Sequence, residues 1–331
     1  MSPSELMIGE VAYRWEEIAL ADAPSEGWAH HGVAVLDDCT VLFARPDRAT
    51  LALFDKQGRM GSEVETDLTE MHKMTVVEDG GGSAIWVADN GHKYLPHRPR
   101  YSDFVRQGRI VLIGLEDGAV RAEIPTPEHE AYERGAWSPC AVAVDEERFG
   151  GSGEIWVADG YGKSLLHRFT PDGGLIATLD GSESGQVFDT PHDVVIDRRR
   201  AMPELYVADR TNRRIVVFGL GGDYLREVGA GVLTSPSGLA TSGDLLIVTE
   251  LRGSIAVFDG DDEFIGRLGE THREESEVWP NALDELGNAV RPPDLLAGHF
   301  NSPHGVATDA SGTVYVSEWL IGGRLVRLVP S

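Results

Sequence analysis

Short apolar runs alternate with polar, glycine-rich turns along almost the whole chain, and they recur in one order. "MHKMTVVEDGGGSAIWVADN" from Met71, "SPCAVAVDEERFGGSGEIWVADG" from Ser138, "TPHDVVIDRRRAMPELYVADR" from Thr190 and "SPHGVATDASGTVYVSE" from Ser302 share a leading turn, an apolar run, a polar turn, a second apolar run and a terminal acid. "HHGVAVLDDCTVLFA" from His30 lacks the acid, and "SPSGLATSGDLLIVTE" from Ser235 ends on Glu250. A third run often follows, as in "RRIVVFGL" from Arg213 and "GSIAVFDG" from Gly253, and then a fourth, as in "YLREVG" from Tyr224 and "FIGRLG" from Phe264. Runs this short, rich in β-branched residues and bounded by Gly, Asp and Pro, predict strands. The pattern gives little support to helices.

Six such four-strand units start near residues 28, 70, 137, 189, 234 and 301. Intervals of 41 to 68 residues between corresponding positions fit a propeller blade with insertions in the longer cases. The insertions fall at 90–107 and 270–299. The final unit, ending in "GGRLVRLVPS", lacks its fourth strand, while the N-terminal "EVAYRWEEIAL" reads as a strand without a unit. That segment is expected to complete the last blade, close the ring and remove an open sheet edge. The expected fold is therefore all-β: one six-bladed β-propeller domain spanning 1–331.

In such a fold the residue leading into each first strand lies at one mouth of the central channel. Those residues are His31, His72, Cys140, His192, Ser237 and His304, so four of eleven histidines occupy six equivalent places. His72, His192 and His304 come from alternate blades and would converge from directions about 120° apart. Three neutral imidazoles with an open fourth position make a catalytic zinc pattern, while iron, nickel, cobalt or copper also accept imidazole. One divalent transition metal is expected there, zinc first, with a structural calcium as a further possibility. A turn histidine can instead simply hydrogen-bond a neighbouring strand. His31 is the extra member, open to a structural or an acid/base role.

The acids closing the second strands, Asp89, Asp159, Asp209, Glu250 and Glu318, read first as caps for backbone N–H groups of the leading turns. Tyr161, Arg210, Arg252 and Trp319 follow them and can reach over the channel. A tyrosine beside a dication can serve as a general base, and an arginine can hold a carboxylate or carbonyl. Cys140 reads as a small filler or, less readily, a nucleophile or ligand. Ser237 lacks a nucleophile elbow, and no phosphate-binding glycine loop occurs between a strand and a helix.

These stretches resemble NHL-repeat propellers and, more narrowly, the peptidyl-α-hydroxyglycine α-amidating lyase family. The "MHKM", "TPHD" and "SPHG" segments resemble its three metal-histidine blades, and "IWVADGYGKSLLHRF" resembles the blade carrying its catalytic tyrosine. The resemblance implies His72, His192 and His304 as zinc ligands and Tyr161 as the catalytic tyrosine. It departs at "HHG", where the family has a catalytic arginine next to its histidine, at Ser302 in place of a methionine, and at Trp137 and Gly162 in place of paired cysteines. The implied activity is a lyase or hydratase reaction on a hydroxylated small molecule, without the amidated-peptide substrate itself. A lactonase-type hydrolase, an iron oxygenase or a non-catalytic propeller binding a protein partner are the alternatives.

Charge and composition narrow the partners. Lys+Arg 29 against Asp+Glu 54 gives a formal net charge of −25, with acids spread throughout. That surface repels phosphate backbones and anionic lipids, so neither nucleic acid nor membrane is an expected partner, and a small-molecule substrate is. Two cysteines cannot build a disulfide framework, no apolar run reaches 18 residues and the start shows no secretory pattern. A cytoplasmic location is the expectation. The insertions carry His92, Tyr94, His97, Arg98 and Arg100, and His272, Trp279 and His299, residues suited to a rim that admits an anionic or aromatic substrate.

Overall fold

The structure, a computed structural model, describes residues 5–8, 11–19, 26–80, 82–271 and 279–331. His272 lies outside the described residues. Among the described residues, six antiparallel meanders of four strands account for most of the strands, the architecture of a six-bladed β-propeller. The first blade comprises Val33–Val35, Val41–Ala44, Thr50–Phe54 and Met60–Glu65. The last comprises Pro303–Thr308, Val314–Glu318 and Arg324–Pro330, and its fourth strand is Val11–Ile18 from the N-terminus. Glu5–Ile8 folds back on that strand as a fifth.

The two edges of a blade differ as the physics of burial demands. Second and third strands such as Ile155–Asp159 and Ser254–Phe258 are buried along their whole length. They are covered on both faces, so they read as unbroken apolar runs rather than alternating ones. The fourth strand Met60–Glu65 exposes every residue but Val64. Among the described residues no helix is long and apolar enough to cross a membrane.

The chain packs as two compact units. One holds Met1–Asp67, Lys93–Val105 and Ala240–Ser331, and the other holds Leu68–His92 and Arg106–Leu239. In the first, Tyr13, Trp15, Ile255, Val257, Phe300, Val316 and Leu328 share a core between neighbouring blades. In the second, Trp86, Ile110, Trp137, Val157 and Phe169 form one core and Trp156, Val207, Val216 and Phe218 another. The 90–107 insertion is the hairpin His92–His97 and Arg100–Val105, set between the second and third strands of its blade. The 270–299 insertion carries the short pair Ala282–Leu283 and Ala289–Val290.

Candidate metal and catalytic site

Three of the histidines owe their positions to one local device. Pairing of the first two strands skips a residue between Met71 and Lys73, between Pro191 and Asp193, and between Pro303 and Gly305. The skipped residues are His72, His192 and His304. A bulge releases one residue from the ladder and re-aims its side chain, which is how a strand otherwise committed to sheet pairing presents an imidazole.

Within the second unit, His72 and His192 meet with ring centroids 4.7 Å apart. The Nδ1 of His72 lies 2.6 Å from the Cys140 carbonyl oxygen, and that of His192 lies 2.6 Å from the Ser237 carbonyl oxygen. A carbonyl only accepts, so each Nδ1 carries the proton and each Nε2 keeps its lone pair. This is the tautomer a metal requires. Burial holds His72 down to about 3, against the pull of the Cys140 carbonyl and reinforced by the charges of Arg210 and Lys73. Its ring is neutral throughout the physiological range.

Tyr161 and Arg210 complete this half. The Tyr161 hydroxyl donates to His192 Nε2 at 2.8 Å, and Arg210 Nη1 donates to the Tyr161 oxygen at 3.2 Å. The guanidinium also lies 5.4 Å from the Tyr161 ring centroid. The glycines flanking Tyr161 leave no room for side chains: a Cβ on Gly160 would lie 2.4 Å from the Pro191 carbonyl oxygen, and one on Gly162 2.3 Å from the Asp159 carboxylate. That close approach sets the tyrosine against the His192 turn. Thr190, two residues before His192, has φ 60°, costly for a β-branched residue. It is held by a Ser164 Oγ acceptor for its N–H at 3.1 Å and by the Arg210 N–H on its carbonyl at 3.1 Å. Beneath the pair, Lys73 Nζ meets Asp193 Oδ2 at 2.7 Å, and the same oxygen accepts from Leu239 N at 2.7 Å. This largely buried ion pair ties together the strands that carry His72 and His192.

Within the first unit, His304 faces His30, with ring centroids 5.0 Å apart. The structure thus sets His30 beside His304 and turns His31 elsewhere: its ring sits edge-on to Phe43 at 4.3 Å, and its carbonyl accepts from Ser317 Oγ at 2.8 Å. The cause is local. The first strand of this blade begins only at Val33, while Trp28 bridges to Ile321 and Ala29 N donates to Leu320 O at 3.0 Å. Residues 28–30 therefore follow the 319–321 turn and carry His30 with them. The doublet "HH" was the only signal in the sequence, and alignment on the following glycine selects its second member.

Asp89 and Glu318 cap the leading turns as the sequence suggested. Asp89 accepts from Thr69, Glu70 and Gly91 N–H groups at 2.8, 3.0 and 3.0 Å, and Glu318 from Ser302 N at 2.8 Å. Burial pushes the Cys140 thiol far up, which removes it as a nucleophile at neutral pH. His30, His72, His192 and His304 are all buried and able to bind a metal ion.

No protein family model matches the chain. It is 22% identical over 298 residues to the peptidyl-glycine alpha-amidating monooxygenase of Mus musculus, covering 88% of this chain and 26% of that protein. It therefore spans about a quarter of that relative's length. To a "probable peptidyl-alpha-hydroxyglycine alpha-amidating lyase" of Caenorhabditis elegans it is 23% identical over 275 residues, covering 81% of this chain and 67% of the other. Its fold is that of a streptogramin B lyase structure (TM-score 0.56, 16% identity, 96% of this chain and 98% of that one). The virginiamycin B lyase of Staphylococcus aureus shares the fold (TM-score 0.55, 14% identity, 96% and 99%). The chain thus resembles the amidating lyases and is a β-propeller similar to known enzymes.

Proposed function

We propose that this protein is a metal-dependent lyase acting on a hydroxylated small molecule, with His72, His192, His304 and His30 sharing one divalent metal ion, zinc first among the candidates. The observation that carries the reading is the pair His72 and His192, each with Nδ1 fixed on a carbonyl and its lone pair on Nε2, which in His192 accepts the Tyr161 hydroxyl and would be given over to a bound ion. The similarity to amidating lyases over most of the chain supports it. When bound, the metal supplies a Lewis acid that lowers the pKa of a substrate hydroxyl. Tyr161, having first lost its own proton to solvent, takes the hydroxyl proton, with Arg210 stabilising the phenolate that precedes the transfer. The freed electron pair forms a carbonyl, the bond from that carbon to its neighbouring heteroatom breaks, and the leaving heteroatom takes the proton that Tyr161 accepted, which restores the phenolate. His31, packed on Phe43, takes no part in this scheme.

Elemental analysis of the purified protein beside a His192→Ala variant tests the reading. The expected outcome is about one transition metal per chain, lost in the variant. Absence of metal from both, even after incubation with zinc or iron, overturns it.

A further inference from the structure

The first unit carries an arginine-lined cavity that the scheme above does not use. Its volume is about 160 Å³, and Arg98, Arg100, Arg291, Tyr101, Val290 and Ile321 are among its walls. Arg98 is paired with Glu26. Arg291 gives Nη1 to the carbonyls of Ile321 and Gly323, and neither it nor Arg100 meets a carboxylate among the described residues. The acid on the cavity walls, Glu26, is taken by Arg98, so in a chain with 54 acids against 29 bases Arg100 and Arg291 are left facing the space without a carboxylate of their own. Burial, and then the nearby Arg324 charge, depress the Arg291 pKa by more than the charges of Glu318 and Glu17 restore, so an anion in the cavity would offset a desolvated charge.

An aromatic path joins this cavity to the histidines. His30 lies 6.2 Å from Tyr94 and 5.9 Å from Trp319, ring to ring. Trp28 stacks on Tyr94 at 4.6 Å and meets Trp319 at 5.6 Å. Trp28 also meets Tyr101, a wall of the cavity, edge-on at 5.3 Å. Both insertions contribute, Tyr94 and Tyr101 from one and Arg291 from the other.

We propose that the substrate is an amphipathic carboxylate: its apolar or aromatic body lies along Trp28, Tyr94 and Trp319, and its acid group is held by Arg100 and Arg291, away from the reacting hydroxyl. The planar guanidinium fork matches a carboxylate, and the apolar walls match the carbon chain that carries it. The proposal rests on the lyase reading only for the location of the reacting end at His30 and His304.

Calorimetric titration with 3-phenylpropanoate and with its neutral amide tests it. The acid is expected to bind at least about tenfold more tightly than the amide, the scale of one charge-assisted hydrogen bond. Arg291→Gln should bring the ratio towards one, and Arg100→Gln, at an exposed side chain where folding is not at stake, should do the same. His192→Ala should leave the ratio unchanged, so loss of the metal reading and loss of this one are told apart. Equal binding of acid and amide by the wild-type protein, or saturation by neither at millimolar concentration, overturns the proposal.

Discussion

Neutral imidazoles are made here by burial, and one outside the metal site gives a clean measure of the effect. His167 is buried in the second unit between the Tyr132 hydroxyl, 2.7 Å from Nε2, and Thr178 Oγ1, 2.9 Å from Nδ1. Burial, and then the His129 charge, lower its pKa from 6.5 to about 3. A folded pKa below the unfolded one means that the unfolded chain binds the extra proton. The stabilisation is therefore complete above pH 6.5 and is lost as the pH falls towards 3. Between pH 7 and pH 5 the wild type should lose about 2 kcal/mol more than His167→Gln, which keeps hydrogen-bonding capacity without the titration. Urea denaturation at the two pH values decides it: parallel losses in both proteins would show that His167 is not kept neutral by the fold.

At the scale of strands and turns, the bulges decide where chemistry sits, and at His304 the bulge depends on the glycine that follows it. A Cβ on Gly305 would lie 2.7 Å from Gly32 Cα and 2.7 Å from Ser317 Oγ, so Gly305→Ala forces backbone apart beside His304. The expected cost is about 1–3 kcal/mol together with weaker metal retention. Gly82→Ala, where a Cβ meets nothing within 4 Å, is the control and should be close to neutral. Denaturation midpoints and metal content of the two variants check this, and a neutral Gly305→Ala would mean that the His304 bulge is not tightly set. The same scale shows what the sequence could reveal. Repeated "VAD"-type strands made the blades and the N-terminal closing strand legible, because doubly buried strands advertise themselves as apolar runs. His72, His192 and His304 were legible because the repeat fixes their register. His30 was not, because its position depends on the 28–30 segment following the 319–321 turn, a tertiary pairing that no local pattern encodes. The arginine cavity was likewise hidden: Arg98 and Arg100 stood out, but Tyr101 and Arg291 did not, and only folding brings those two, 190 positions apart, to one wall.

For the molecule as a whole, the opposing terms are a net charge of −25 and a set of arginine-centred ion pairs. Arginine supplies 25 of the 29 basic residues, and the structure uses its fork in buried positions that a lysine would fill poorly. Arg214 joins Asp209 at 2.8 Å with side chains 4% and 0% exposed, and Arg324 joins Glu318 at 3.2 Å with 1% and 0%. Salt screens such pairs little, because water and ions do not reach them. The exposed pairs, such as Arg59–Asp55 at 2.7 Å with side chains 76% and 38% exposed, contribute little, because water and salt screen them. Repulsion among the excess acids, in contrast, acts across solvent, where the screening length falls from about 30 Å at 0.01 M salt to about 3 Å at 1 M. Screening therefore removes more repulsion than attraction, and the folded state should gain stability as sodium chloride rises. The urea midpoint is expected to move upward between about 0.01 M and 0.5 M sodium chloride. A downward shift would mean that the exposed ion pairs outweigh the net charge, and that the acidic surface is balanced by local partners rather than tolerated as a uniform field.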